Sequence, residues 1–287
     1  MPGQIAVGVD GSDESLAAVD WAADEAALRD AGLRLVNASL WQEHPIVAVQ
    51  PARDELAERA RSLLGEMEER ARARRPGLAT TAEEIEDAPT RVLLAAGADA
   101  EMLVLGSHGF GAAGGFLFGS VGQEVVAQAE RPVVLVRHGD GTRPGEPGDG
   151  RVVLGLDLKH PADEVIDFAA DFAARHSAPL HIVHSWRLAA LHHRAVAESD
   201  AGAKAEQQLT TAVSDAVRPY RDRFPQMAVD EQVVSGRSGR RLVEAAAGAR
   251  LLVVGRHRGH EPRTHIGSTT HAVIHHAPCP VAVVPHG

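Results

Sequence analysis

The feature that most constrains this 287-residue sequence is an internal repeat. Apolar runs, loop glycines and an acidic residue recur along the second half in the order they have in the first half. Asp157 follows Asp10 by 147 residues, Gly255 follows Gly106 by 149, and Gly267 follows Gly119 by 148. A register kept along the whole chain indicates a duplicated unit. We therefore predict domains at 1–138 and 151–287, joined by a linker at 139–150 that is rich in Gly, Pro and acidic residues.

Strands and helices alternate in each copy. In the first copy, apolar runs at 5–9 and 102–105 are typical of strands buried on both faces. The predicted order continues with a helix capped by Ser12 or Asp13 and running to about 31, a strand at 33–40, a helix at 54–74, a polar strand at 80–86, a short helix at 89–98 and a fifth strand at 133–136. This alternation favours an α/β fold, with two tandem Rossmann-like domains and parallel sheets.

The predicted edge strands differ in character. The third strand is polar, as a solvent-exposed edge should be. The fifth strand is apolar in both copies, so a bare edge there would promote aggregation. We expect the two fifth strands to pair or pack together, across domains or across subunits.

Composition excludes several classes of partner. The formal charge is −10 and the lysines are Lys159 and Lys204 alone, so no nucleic-acid or membrane partner is expected. The chain is 44% hydrophobic but 3% aromatic, which indicates a core of aliphatic residues. The single cysteine, Cys279, rules out an internal disulfide and fits a reducing cytosol. The N-terminus has no signal-peptide pattern and no apolar run approaches a membrane span, so we expect a cytoplasmic protein.

The stretch from Glu101 to Ala129 contains a buried strand, a glycine-rich loop and the start of a helix. The loop begins at Gly106, and the helical pattern begins at Gly119 and Ser120. This order predicts a concave group of backbone N–H groups at the positive end of a helix dipole, which suits a phosphate chain. We predict that Ser120 is the N-cap residue. An ordinary strand-to-helix loop has the same pattern, so this stretch alone leaves both interpretations open.

The first copy also carries a specific glycine spacing. Gly106 is followed by two residues, Gly109, nine residues and then Gly119-Ser120. With Val-Gly-Val-Asp-Gly-Ser at 7–12, this spacing resembles the ATP-binding universal stress proteins. The segments 21–25 and 277–281 are similar to tandem-domain members of that family from actinobacteria. The resemblance spans both copies and implies five-stranded sheets of order 3-2-1-4-5, a cytoplasmic location, dimer-like assembly through the fifth strands, and ATP sensing rather than fast chemistry.

The resemblance also implies residues that hold ATP, usually with a divalent cation such as Mg²⁺ that has few protein ligands. Gly8 and Asp10 would meet the adenosine, and the backbone at Ala38 would hold the adenine edge. Helix capping is the alternative role for Asp10. The remaining residues would wrap the ribose and phosphates or donate to the phosphates from the helix start; they are Gly106, Ser107, His108, Gly109, Phe110, Gly111, Ala112, Gly119, Ser120 and Val121.

The second copy keeps part of this pattern. Its matching positions are Gly155, Asp157, Ser185, Gly255, Arg256, His257, Arg258, Gly267, Ser268 and Thr269. Leu158-Lys159 replaces Gly11-Ser12, Arg258 stands where the second glycine belongs, and the loop is one residue shorter. These departures leave nucleotide binding in the second copy open. Lys159, Arg256 and Arg258 are candidates to supply charge for phosphates.

Other motifs are set aside. The segment 109–114 matches the dinucleotide string but follows the fourth strand, and no acid ends the next strand, so no NAD site is predicted. His271 and His275 have a spacing that can hold a metal, but we interpret them, like His192-His193, as surface histidines and predict no metal site. We interpret Trp41 and Trp186 as packing residues.

Three functions remain open for this chain. The first is a non-enzymatic, nucleotide-dependent regulator, the second is a slow ATPase or another nucleotide-handling enzyme of the same superfamily, and the third is a ligand-free structural dimer module. No residue is placed as a general base near the expected γ-phosphate, which disfavours the enzyme. The intact first loop disfavours the third function, so we predict the regulator.

Overall fold

The computed structural model describes residues 3–39, 50–107, 119–137, 139, 150–187, 200–258 and 266–287. These residues divide into two compact units, with the chain passing from the first unit to the second after Gly139. Each unit is an α/β fold with one parallel sheet, in agreement with the predicted fold class.

The first unit alternates strands and helices along the chain. Its elements are β1 (Gln4–Gly8), α1 (Asp13–Arg29), β2 (Gly32–Ala38), α2 (Gln50–Arg74), β3 (Thr80–Ile85), α3 (Pro89–Ala98), β4 (Met102–Ser107), α4 (Ser120–Gln128) and β5 (Val133–Arg137). The strands lie in the order β3-β2-β1-β4-β5, and all neighbours are parallel. The carboxyl ends of β1 and β4 are therefore adjacent at one edge of the sheet.

The second unit repeats this architecture. Its elements are β6 (Val152–Gly155), α5 (Asp163–Arg175), β7 (Leu180–Trp186), α6 (Asp200–Arg223), β8 (Val229–Ser235), α7 (Ser238–Ala245), β9 (Leu251–His257), α8 (Ser268–His276) and β10 (Val281–His286). The order β8-β7-β6-β9-β10 is the same topology, again with parallel neighbours. The predicted order 3-2-1-4-5 is thus confirmed in both halves.

Aliphatic side chains form the core of each unit. Ile5, Leu33 and Leu103 are each at most 1% exposed in the first unit, as are Leu154 and Leu251 in the second. The strands that carry these residues are covered by helices on both faces. This explains why the strands are apolar along most of their length and do not alternate between apolar and polar residues. No helix in the described part of the chain is long and apolar enough to cross a membrane.

Several predicted boundaries move by a few residues. The first helix ends at Arg29 rather than near Ala31, because Asp30 adopts the left-handed conformation at φ 55°. The second helix begins at Gln50, four residues before the predicted start. The prediction that Ser120 is an N-cap is wrong: Gly119 is the N-cap of α4, and Ser120 is its first helical residue.

The edge strands have the predicted character. In β3, Thr81 is exposed and the other five residues are half-buried, which suits a polar strand that pairs with β2 on one side. In β5 all five residues are buried, as its apolar sequence requires.

A glycine at the end of the fourth strand lets the first helix approach the sheet. A Cβ on Gly106 would lie 2.5 Å from the carbonyl carbon of Glu14 and 2.7 Å from the nitrogen of Ser15, both in the first turn of α1. Backbone atoms cannot move aside as the end of a flexible side chain can. Gly106 is therefore required by packing within the first unit, whether or not a ligand binds there.

We predict that Gly106→Ala lowers the free energy of unfolding by about 1–3 kcal/mol, because the added methyl group pushes α1 off the sheet. Gly65→Ala is the matched control. Gly65 is exposed inside α2, and a Cβ added to it would meet nothing within 4 Å, so this variant should gain about 0.5–1 kcal/mol. Urea unfolding of both variants measures the difference. Equal effects at the two positions would contradict the close contact.

Candidate functional site

The candidate site of the first unit lies at the carboxyl ends of β1, β2 and β4, where open parallel sheets bind ligands. Gly8 ends β1, Ala38 ends β2, and Gly106 and Ser107 end β4. Asp10 follows β1 by two residues. The predicted loop residues His108 to Ala112 lie outside the described residues, as does Trp41.

Asp10 is held in a tight turn by Ser12. Its Oδ1 accepts hydrogen bonds from the Ser12 backbone nitrogen at 3.0 Å and from the Ser12 hydroxyl at 2.6 Å. Partial burial acts to raise the pKa of Asp10, but the bonds from Ser12 outweigh it and the pKa is lowered. Asp10 is therefore a charged carboxylate with its orientation set before any ligand arrives.

Ser12 links this turn to the first helix. It is the N-cap of α1, and its hydroxyl oxygen accepts from the Ser15 nitrogen at 3.1 Å. Asp10 thus does not cap α1 directly, as the alternative interpretation supposed, but orients the residue that does.

The N-terminus of α4 has no side-chain cap. Gly119 provides no capping atom, and among the described residues no side chain caps the first turn, which contains Ser120 and Val121. A Cβ on Gly119 would meet no atom of the described residues within 4 Å, so packing against those residues does not require a glycine there. The missing side chain leaves space in front of helical N–H groups, which is the arrangement that binds an anion.

Packing explains two of the strand-end residues, Gly8 and Ser107. A Cβ on Gly8 would lie 2.7 Å from Leu93 and 2.8 Å from Leu105, so this glycine admits α3 to the sheet. Ser107 is 3% exposed, and its hydroxyl donates to the Val136 carbonyl oxygen at 3.5 Å. The Ser107 side chain therefore faces the protein interior, and only its backbone is available to a ligand.

The second unit has an equivalent edge with a cavity of about 970 Å³. Asp157 repeats the turn of Asp10, because its Oδ1 accepts from the Lys159 nitrogen at 3.0 Å. Partial burial opposes ionisation of Asp157, but the bonds from Lys159 and His160 dominate and its pKa is lowered. Gly267, like Gly119, is an N-cap with no side-chain cap, and a Cβ added to it would meet no described atom within 4 Å.

The cavity contains most of the residues predicted in the second copy. Its lining includes Gly155, Asp157, Ser185, Gly255, His257, Gly267, Ser268 and Thr269, together with Lys159. Two predicted positions lie elsewhere. Arg256 points to the opposite face of β9 from Gly255 and His257 and is buried, and Arg258 lies 4.0 Å from Glu164 outside the lining. Of the three proposed cations, Lys159 is the one that lines the cavity.

Ser185 and Trp186 form the far wall of this cavity. The Ser185 hydroxyl donates to the Ser238 hydroxyl at 2.5 Å, which ties the end of β7 to the start of α7. Trp186, predicted as a packing residue, also lines the cavity, and its buried Nε1 has no acceptor among the described residues.

A pair of interstrand hydrogen bonds was missed by sequence reasoning. The Asn37 side-chain nitrogen donates to the Val9 carbonyl oxygen at 2.7 Å in the first unit. In the second unit His184 Nδ1 donates to the Leu156 carbonyl oxygen at 2.9 Å. The residues occupy the same repeat position, and both hold the turn that carries the aspartate. The repeat alignment contained this signal, since Asn37 and His184 are polar residues at matching positions near the ends of β2 and β7.

Three histidines at the second edge were also not predicted as site residues: His160, His184 and His286 line the cavity together with the predicted His257. In the described parts of the chain, no group of three or more His, Cys, Asp or Glu residues is arranged to hold a metal ion. His271 is exposed, as predicted for a surface histidine, and its ring centroid lies 4.4 Å from that of His275.

The fold and the edge geometry define a class of tandem α/β proteins. In each unit a helix whose N-cap is a glycine begins near the carboxyl end of the sheet. A family model described as the universal stress protein family matches residues 1–137 and 150–285, and the chain belongs to this family. It is similar to a universal stress protein of Mycobacterium tuberculosis, with 32% identity over 293 residues that cover 97% of this chain and 96% of the relative.

Two further comparisons agree. A universal stress protein of Mycolicibacterium smegmatis is 32% identical over 295 residues, covering 98% of this chain and 96% of that protein. Among solved structures, a universal stress protein from Archaeoglobus fulgidus has a TM-score of 0.74 at 19% identity, covering 99% of this chain and 98% of that one. The structural match supports the fold alone.

We predict that Asp10→Asn destabilises the first unit at neutral pH and that this difference disappears in acid. The lowered pKa of Asp10 contributes stability that is present above the unfolded-state pKa and is lost as pH falls through the lower folded-state value. Urea midpoints of both proteins from about pH 7 to about pH 3 measure this. A double-mutant cycle with Ser12→Ala assigns the effect to Ser12. A gap that persists unchanged in acid would contradict a role for the charge.

Proposed function

We propose that this protein binds ATP in its first unit and acts as a nucleotide-dependent regulator in a stress response, as the universal stress family to which it belongs suggests. The observation that carries the proposal is the start of α4. Within the part of the chain that the structure describes, no side chain caps this helix N-terminus and no atom fills the space beside Gly119, at the sheet edge where Asp10 is held ionised. A polyanion with a polar nucleoside suits both features.

In this proposal the two ends of the nucleotide meet different groups. Asp10 accepts a hydrogen bond from the ribose or the adenine, and the backbone at Ala38 holds the adenine edge. The phosphates accept from the N–H groups of Ser120 and Val121 and from the loop that begins at Gly106. ATP arrives with Mg²⁺ as its counter-ion, held chiefly by the phosphates.

Regulation is favoured over catalysis because a fast hydrolase needs a general base near the γ-phosphate. Asp10 is a poor base, since its bonds from Ser12 lower its pKa. The alternative of a slow ATPase, or of another nucleotide-handling enzyme of the same superfamily, is tested below. A structural module without a ligand is disfavoured because an open, uncapped helix start has no structural use of its own.

Assembly and location are part of the proposal. An apolar fifth strand ends each sheet within its own unit, which supports pairing of β5 and β10, either between the two units of one chain or between subunits. A homodimer is part of this proposal. A cytoplasmic location is supported by the lone Cys279 and by the ATP supply of the cytosol. Neither nucleic acid nor a membrane is a proposed partner, given the formal charge of −10.

We predict that Gly119→Val abolishes stabilisation of the first unit by ATP without unfolding it. The valine side chain would occupy the space in front of the helical N–H groups, yet its Cβ would meet no atom of residues 3–39, 50–107 or 119–137 within 4 Å. With ATP and Mg²⁺ at about 100 times the dissociation constant, the wild-type unit should gain about 2.7 kcal/mol. This corresponds to a shift of several degrees, at roughly 2–4 °C per kcal/mol.

Gly267→Val is the matched control, because it places the same side chain at the same repeat position of the second unit. It should leave the shift of the first unit intact. An ATP shift that survives Gly119→Val would remove α4 from the site. Steady ADP release at enzyme-like rates with Mg²⁺ would replace the regulator with the ATPase alternative.

A further inference from the structure

The two units differ most at the start of their first helices. The helix α1 begins at Asp13, whose repeat equivalent is His160, whereas α5 begins three residues later at Asp163. Lys159 replaces the capping Ser12, and Pro161 disfavours a helical conformation for the residue before it. The second unit therefore lacks the helical turn that covers the end of the fourth strand in the first unit.

A histidine occupies the position of the missing turn. A Cβ on Gly255 would lie 2.8 Å from Cδ2 and 2.9 Å from Nε2 of His286, whereas in the first unit the equivalent contact is to the backbone of α1. His286 is 8% exposed and closes the floor of the cavity. Among the described residues, the nearest neighbour of this glycine is thus helical backbone in the first unit and an imidazole, which can gain a proton, in the second. The repeat counterpart of His286 is His138, which lies outside the described residues.

The imidazole of His286 is one end of a row of three. Its ring centroid lies 5.5 Å from that of His257, which in turn lies 5.9 Å from that of His160. His160 and His257 are exposed at the cavity mouth, and His160 Nδ1 lies 3.3 Å from Asp157 Oδ2. The row reaches from the buried floor to solvent along one wall of the cavity.

The permanent charges of this cavity nearly cancel. Among the described residues that line it, one carboxylate, Asp157, faces two permanent cations, Lys159 and Arg187. Glu164 and Arg258 lie together outside the lining. Any large change in the charge of the cavity between weakly basic and weakly acidic pH must therefore come from the histidines.

We propose that the cavity of the second unit is a binding site for a phosphate-bearing anion, switched on by protonation of the row His160, His257 and His286. The charged imidazoles bind the anion from one wall. The uncapped first turn of α8 at Gly267, with Ser268 and Thr269 on the lining, donates to it from another. This site is separate from the ATP site proposed in the first unit and does not depend on it.

The sign of the pH dependence follows from what faces His286. Burial lowers its pKa most, and His257 on β9 and His160 in the loop after β6 lower it further, while Glu164 on α5 and Asp157 act to raise it. The empty cavity therefore resists protonation, and acid destabilises this unit through His286. A bound anion relieves that penalty. Anion affinity must rise as pH falls through the histidine range.

The test uses Trp186 as its reporter. The chain has two other tryptophans, so the Trp21→Phe/Trp41→Phe variant leaves a single fluorophore on the cavity wall. This protein is titrated with sodium sulfate at about pH 5.8 and about pH 8.0 and constant ionic strength, since sulfate keeps its charge over this range and the histidines do not. Inorganic phosphate and AMP, titrated in the same way, show whether a nucleoside adds affinity.

We expect sulfate to bind at least about tenfold more tightly at the lower pH. His160→Gln/His257→Gln, which alters exposed side chains and leaves the buried His286 in place, should reduce that ratio to about twofold or less. His276→Gln is the matched control, because His276 is exposed at the far end of α8 and does not line the cavity. It should keep the wild-type ratio.

Three outcomes would overturn the proposal. They are the absence of a saturable sulfate response at the lower pH, equal affinity at the two pH values, or an unchanged ratio in the double glutamine variant. Gly119→Val in the same background separates this site from the first. Loss of the ATP stabilisation of the first unit in that variant with sulfate binding retained is the expected result, and loss of both would show that the response arises in the first unit.

Discussion

The close approach of the first crossover helix to the end of the fourth strand controls the geometry of the functional edge in the first unit. In the first unit this approach is possible because Gly106 has no side chain where the backbone of Glu14 and Ser15 lies. The helix start, the turn of Asp10 and the end of β4 are thereby held together. A crevice with one wall of ordered backbone and one oriented carboxylate is a consequence of that packing.

The same constraint explains how two copies of one unit can diverge without losing the fold. Gly155 and Gly255 keep the sheet close to its helices, and the aspartate turn survives with its backbone hydrogen bond intact. The two units differ in the atoms that pack against the glycine at the end of the fourth strand, which is Gly106 in the first unit and Gly255 in the second. In the second unit the imidazole of His286 lies over this glycine, where the first helix begins three residues later, and its charge depends on pH.

Much of the fold could be predicted because its signals are local and repeated. Fully apolar strands, helix periodicity and the spacing of loop glycines give element order, and a polar third strand and an apolar fifth strand indicate how exposed each edge of the sheet is. The N-cap of α4 could not be assigned in this way. Ser120 and Gly119 are adjacent, and both residue types occur at N-caps, so one residue of register decides which of them it is.

The amino-acid sequence by itself determined the duplication, the parallel α/β architecture and the candidate edge of each sheet, because these follow from patterns that a short window of residues carries. Tertiary structure alone decided what each site residue faces. Residues far apart in the chain, such as Gly255 and His286 or Asn37 and Val9, come into contact only when neighbouring strands align. Strand alternation then turned Arg256 away from the cavity that His257 lines. Orientation and contact depend on register between strands, and no single segment of the chain contains that information.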